Sequence, residues 1–247
     1  MKNRLVETND GSFTMHSEHF DECYHSTKDG ALRESLKKHV EPAFSLLNCN
    51  EITILDICFG LGYNTLSTLY YIDRKKLSKR VKIISPELDE NLVRSLGMFP
   101  YPSEFKPYIH IIRKIADSGH YEDHKVAIEV VFKDAREFIR ECDTSFDIIY
   151  QDAFSPKKNP TLWTKEYFLD LTSLMRPHAI LTTYSSATPV RMGMYESGLN
   201  LYFPHKSEVR SGTIASLSPN LPLEKIDMEL KVLRNPFAAP LLDAEIS

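Results

Sequence analysis

From residue 52 onward the chain alternates short, continuous apolar runs with stretches of helical periodicity, and this alternation restricts its fold more than any other feature. The runs are ITILDI (52–57), VKIISP (81–86), AIEVVF (127–132), FDIIYQ (146–151) and AILTTY (179–184). Their apolar character does not follow a two-residue alternation, so each is expected to be buried on both faces. Helices fit between them at roughly 64–75, 88–97, 134–142 and 163–175. This order predicts an α/β fold, a mostly parallel sheet with helices on both faces.

Finer signals mark several elements. Leu32, Leu36, Val40, Phe44 and Leu47 fall on one face of a helix ahead of the first run. Asp134 and Glu137 have capping-box spacing, with Asp as the N-cap. Thr188 predicts another N-cap, with Pro189 at the first helical position and Gly198 closing the helix. Trp163, Tyr167, Leu171 and Leu174 make an apolar stripe expected in the core. LYFPHK and GTIASLS predict a strand pair in the tail. No linker composition divides the chain, so residues 1–50 read as an N-terminal extension packed on a domain spanning 51–247.

A composition of 42% apolar and 26% charged residues leaves room for a real core. The net charge of -4 gives no global attraction to nucleic acid or membrane, so a polyanion would need a local basic patch. Candidates are Arg74, Lys75, Lys76, Lys79 and Arg80 in one run, Lys157 and Lys158 in another, and Arg191. No signal-like segment or membrane-length apolar run is present. Cys23, Cys49, Cys58 and Cys142 lack CxxC spacing and read as free thiols in a reducing compartment, so a cytoplasmic protein is expected. His16, His19 and Cys23 would share one helical face, but no fourth ligand follows at suitable spacing. No metal is expected.

The first run ends in LDICFGLGYN (55–64), where an acid precedes a turn through Gly60 and Gly62. Glycines there let backbone approach a ligand closely. A nicotinamide fingerprint would place a third glycine three positions later, and Thr65 stands there instead. The turn therefore suits a sulfonium nucleoside, which has no phosphate to cradle. Asp56 is expected near its amino-acid end, Glu87 after the second run at its ribose, and Asp134 after the third at its adenine. Each has a plainer reading, as turn, solvated helix start or cap; together they favour S-adenosylmethionine.

The fourth run leads into QDAFSPKKNPTLWTKEYF. Ligands of open α/β sheets bind beyond the carboxyl ends of the strands, so Asp152 should face the cofactor. A carboxylate there can orient a substrate amine and take or share its proton. Phe154 is placed to wall the pocket or stack a base.

These stretches resemble a known family. FDECYHSTKDGALRES (20–35), DICFGLGYNT, DAFSPKKNPTLW and TYSSATPVRMGMYESGL are similar to segments of the tRNA wobble-uridine methyltransferases that complete 5-methylaminomethyl-2-thiouridine, in the form lacking an FAD-dependent oxidase domain. The resemblance implies a class I S-adenosylmethionine-dependent methyltransferase fold. It implies N-methylation of the aminomethyl group on uridine 34 in the anticodon stem-loop of tRNA, with a separate enzyme supplying that group. It assigns Gly60, Gly62 and Asn64 to the cofactor turn, Glu87 to the ribose, Asp134 to the adenine side and Asp152 to the amine. It also places Tyr24 and Glu34 in the entry segment. Two places depart from the family pattern: His178 and Ala179 replace a glycine pair, and Arg210 is the clearest remnant of a basic string. Two rival expectations are a polyamine aminopropyltransferase and a catalytically silent RNA-binding module of the same fold.

Overall fold

A computed structural model describes residues 3–206, 209 and 211–246. Arg210 lies outside them. Three short strands, β1 (Arg4–Glu7), β2 (Phe13–Ser17) and β3 (Glu22–Cys23), pair antiparallel. His16 and Cys23 are cross-strand partners here, which corrects the single helical face expected for them and His19. The amphipathic stretch that follows is helical but not uniformly so. α1 (Ala31–Glu34) passes into a π-helical turn, Ser35–Val40, before α2 (Glu41–Ser45) resumes ordinary geometry. Leu36, Val40 and Phe44 are buried as the periodicity requires.

The five apolar runs become β4 (Glu51–Ile57), β5 (Arg80–Glu87), β7 (Val126–Phe132), β8 (Phe146–Gln151) and β9 (Met175–Thr183). Between and after them lie α3 (Tyr63–Arg74), α4 (Glu90–Ser95), α6 (Ala135–Glu141), α7 (Lys165–Ser173) and α8 (Thr188–Glu196). Among the elements not legible from the sequence are α5 (Ile109–Ser118) and β6 (His120–Glu122). β10 (Asn200–Tyr202) and β11 (Thr213–Ser216) form the expected pair in the tail, followed by α9 (Met228–Leu233). Asp134 caps α6 by accepting from the amides of Arg136 and Glu137. The cap of α8 is Ala187 rather than Thr188, and Pro189 sits in its first turn.

All eight strands from β4 to β11 join in one sheet, ordered β10-β11-β9-β8-β4-β5-β7-β6. The five central strands are parallel; β6, β10 and β11 run against their neighbours. Successive residues of β4 point to opposite faces, as a two-residue side-chain period requires. Ile52 and Ile54 join the apolar layer under α3 and α5, while Leu55 and Ile57 join the layer under α6, α7 and α8. Two cores on one sheet explain why the runs show no polar alternation. Trp163, Tyr167, Leu171 and Leu174 are all buried in the second layer, although α7 starts only at Lys165. Phe13, Met15 and Tyr24 pack against the first layer, which seats the N-terminal sheet on the domain. Among the described residues no helix is long and apolar enough to cross a membrane.

Ile148 is wholly buried in β8, at the centre of the sheet. Ile148→Ala should lower the unfolding free energy by about 2–5 kcal/mol, read from the urea midpoint at unchanged slope.

Candidate active site

In this strand order the connections leave the centre of the sheet in opposite directions from β4 and β8. That makes the crevice between their carboxyl ends the ligand position of an open α/β sheet. Beyond β4 the backbone is left-handed at Cys58, Gly60 and Gly62, with φ of 64°, 53° and 71°. A Cβ on Gly60 would stand 3.2 Å from Cδ1 of Tyr24, and one on Gly62 3.0 Å from Cζ of Phe59. Aromatic rings thus lie close over both glycines, and a side chain at either position would have to displace one. Glu87, at the tip of β5, accepts from the amides of Gly60 and Asp89, both at 2.8 Å, and so pins the turn to the neighbouring strand.

A cavity of about 460 Å³ opens at this point. It brings together Gly60, Asn64, Glu87, Asp134, Asp152 and Phe154, six of the residues singled out from sequence, and Tyr24 lines it as well. The size suits a nucleoside with an amino-acid arm. Glu87 and Asp134 keep acceptor capacity beyond their backbone bonds, enough to meet ribose hydroxyls and an adenine amino group. Oδ1 of Asn64 is buried and finds no hydrogen-bond partner among the described residues, which leaves it an unused acceptor. No group of three His, Cys, Asp or Glu among the described residues is placed to hold a metal.

Four sequence expectations need revision. Asp56 does not line the cavity: it is 1% exposed behind the wall, accepting from Asn64 Nδ2 at 3.3 Å and Thr65 Oγ1 at 3.0 Å. Gly62 shapes the turn without reaching the cavity. Arg191 is buried, donating to Thr213 Oγ1 at 2.9 Å and the Gly212 carbonyl at 3.1 Å, so its guanidinium holds β11 to α8 and is not presented outward. The Arg74–Arg80 run lies at the amino end of β5, opposite the cavity. Of the lysine pair, Lys158 is already held by Asp21 at 3.0 Å, and Lys157 is exposed. His178 sits exposed on β9 with Ala179 buried beside it.

Asp152 follows β8 and stands between this cavity and a second one of about 360 Å³, whose lining also shares Tyr24, His25 and Phe154. The second chamber is bounded on its far side by Glu34 and Lys38 from the first helix and by Tyr184 after β9. Lys38 lies within 2.6 Å of Glu34 and 2.9 Å of Asp29. Burial disfavours that ammonium, but the two carboxylates outweigh it and keep Lys38 charged.

One oxygen of Asp152 accepts from Asn64 Nδ2 at 2.9 Å; the other is 3.4 Å from Nε2 of His39, a ring with no solvent exposure. Burial raises the Asp152 carboxyl, yet His39, His25 and Asn64 together hold it below the usual carboxylate range. His25 itself is pushed down by burial. Sequence reading missed both histidines because they stand outside any catalytic spacing motif, and the π turn displaces His39 from the face that ordinary helical periodicity assigns.

Buried Asp56 titrates far from its ordinary value. Desolvation, opposed by Thr65, raises it from 3.8 to about 8. The folded state therefore binds a proton that the unfolded chain has already released, and stability falls as pH rises toward 8. His25, whose folded value is depressed, acts in the opposite sense, but only below about pH 6.5. Between pH 6.5 and 8 the protein should lose on the order of 2 kcal/mol of stability. Asp56→Asn should flatten that slope in thermal unfolding scans.

Comparison with known proteins agrees with this architecture. Residues 104–216 match the model of a family described as S-adenosyl-L-methionine-dependent methyltransferase. The crystal structure of MnmC2 from Aquifex aeolicus is 31% identical and superposes with a TM-score of 0.85, covering 99% of this chain and 80% of that one. An uncharacterized protein of Methanocaldococcus jannaschii is 29% identical over 98% of this chain and 68% of its own length. The tRNA 5-methylaminomethyl-2-thiouridine biosynthesis bifunctional protein MnmC of Pseudomonas savastanoi is 27% identical over 80% of this chain. This chain spans 33% of that relative's length. With the doubly covered parallel sheet and the glycine turn at its switch point, these likenesses establish a class I fold and S-adenosylmethionine as the cofactor: the chain belongs to the S-adenosyl-L-methionine-dependent methyltransferase family that includes MnmC2.

Proposed function

We propose that the protein methylates the aminomethyl nitrogen on the wobble uridine, position 34, of tRNA, acting as one catalytic unit from the N-terminal sheet to the tail. The observation that carries this reading is the position of Asp152, in the wall common to two chambers. One chamber has the carboxylates and backbone turn that a nucleoside needs; the other is acidic and lined by Phe154, Tyr24 and Tyr184, which suits a cationic amine carried on a flat base. The names of the MnmC relatives supply the tRNA context.

S-adenosylmethionine, when bound, supplies a methyl group on a positively charged sulfur. Glu87 would hold its ribose diol, Asp134 its adenine edge and Asn64 its amino-acid end. Asp152 would hold the acceptor amine and receive a proton from it, because only the neutral amine has a free lone pair. Phe154 and Tyr24 would exclude water between the chambers. Lys157, exposed beside the entrance, would meet a backbone phosphate. A second enzyme must install the aminomethyl group beforehand.

Labelled S-adenosylmethionine and tRNA bearing 5-aminomethyl-2-thiouridine test this directly. Wild-type protein should label that tRNA; turnover of putrescine instead would replace this reading with an aminopropyl transfer. Asp152→Ala should slow transfer by about 10²–10⁴-fold. Calorimetric affinity for S-adenosylhomocysteine should stay within a few-fold, and full activity in this variant would remove Asp152 from the mechanism. Lys157→Ala should reduce the salt slope of tRNA binding by about one, whereas Lys158→Ala, its charge already matched by Asp21, should change it less.

A further inference from the structure

The ring of His39 is sealed inside the protein between the π-helical turn and β9, with no exposed surface. Its Nδ1 is 3.0 Å from the hydroxyl of Thr182, and its Nε2, aimed at Asp152, has no hydrogen-bond partner of acceptable geometry among the described residues. A hydroxyl can accept as well as donate, so Thr182 can accept from Nδ1–H. In that tautomer the lone pair of Nε2 faces the nearer oxygen of Asp152.

Resting on the reading of the second chamber as the acceptor side, we propose that Asp152 and His39 act as a two-membered proton acceptor, in which His39 is the site where the substrate's proton comes to rest. The N–H bond of the acceptor ammonium breaks and an O–H bond forms on Asp152. The proton then passes to Nε2 of His39, which restores the carboxylate and leaves the amine neutral. The pair gains one positive charge and the amine loses one, so charge balances. After product leaves, the proton returns through Asp152 to solvent in the second chamber.

Two observations favour a second member. Nε2 of His39 is buried next to Asp152 and has no hydrogen-bond partner among the described residues. The 3.4 Å gap is one that catalytic hydrogen bonds commonly close when substrate binds.

The surroundings leave the pair as the proton's destination. Around the ring of His39 stand Tyr150 of β8, with ring centroids 5.8 Å apart, and Thr182 of β9; Lys38 on its own helix is already matched by Glu34 and Asp29. Around Asp152 stand Asn64 of α3, His25 after β3, and Asp56 at the end of β4, whose carboxyl is taken by Thr65 and Asn64. Tyr184 and Cys58 nearby are both pushed up by burial and stay protonated.

The test compares wild type, His39→Gln and Thr182→Val in single-turnover methylation of tRNA bearing 5-aminomethyl-2-thiouridine, from about pH 6.5 to about pH 9.5. His39→Gln should be slower by about 100-fold at the low end and approach wild type at the high end, where solvent deprotonates the amine. Thr182→Val should follow the same trend more weakly. Nitrogen-15 NMR of histidine-labelled wild type at high pH should show a buried ring protonated at Nδ1 that is absent from His39→Gln. A deficit equal at every pH would mark His39 as merely structural, and a ring protonated at Nε2 would overturn the relay. Wild type inert on this tRNA would instead overturn the acceptor assignment.

Discussion

The side-chain amide of Asn64 is the interaction on which the site depends. Its nitrogen donates both to Asp56 at the end of β4 and to Asp152 beyond β8, at 3.3 and 2.9 Å. These two strands are neighbours in the sheet, and their onward connections diverge. The amide therefore spans the crevice that strand order creates and fixes the distance between the glycine turn and the carboxylate that faces the acceptor. A shared donor between two carboxylates also lets them sit close together in a dry interior. One of them, Asp56, holds its proton to higher pH, chiefly because it is buried and in smaller part because Asp152 is charged.

Much of this could be read from the sequence, because the physics involved is local. Strands buried on both faces must be apolar throughout, so the five central strands were legible to within a residue or two at most ends. β9 is the exception, beginning earlier at Met175 and running past the charged and exposed Arg176 and His178. A turn lined by rings needs glycine, so Gly60 marked the site. α5 was hidden because Pro102 and Pro107 precede it, and only the burial of Ile111, Ile112 and Ile115 reveals its face. The roles of the charged residues were less legible, since they depend on what lies across a gap. Arg191 and Lys158 look like free cations in the sequence, and each is matched by a partner that only the fold brings near.

The π-helical turn is the least local feature and the one with the most effect on the site. An ordinary helix would carry Leu36, Val40 and Phe44 inward and leave His39 to one side. Widening the turn admits an extra residue without losing the apolar face, so Lys38 and His39 both become buried next to the acceptor chamber. Lys38 fastens Glu34 and Asp29 while His39 backs Asp152. A charged network is thus set directly over an apolar core by one change in helical pitch.

The N-terminal sheet meets the loop after β8 through several contacts, the Lys158–Asp21 ion pair among them. Glu22 accepts from the amide and hydroxyl of Ser155, at 3.1 and 2.8 Å, and Phe20 stacks on Phe154 with centroids 4.3 Å apart. The two partners in each contact are separated by more than a hundred positions along the chain. Closing so long a loop carries an entropy cost that must be met before the contacts reward it. The chamber walls therefore belong to the late stage of folding. During synthesis, residues 20 to 22 must wait for more than a hundred further residues to emerge before these partners exist for them.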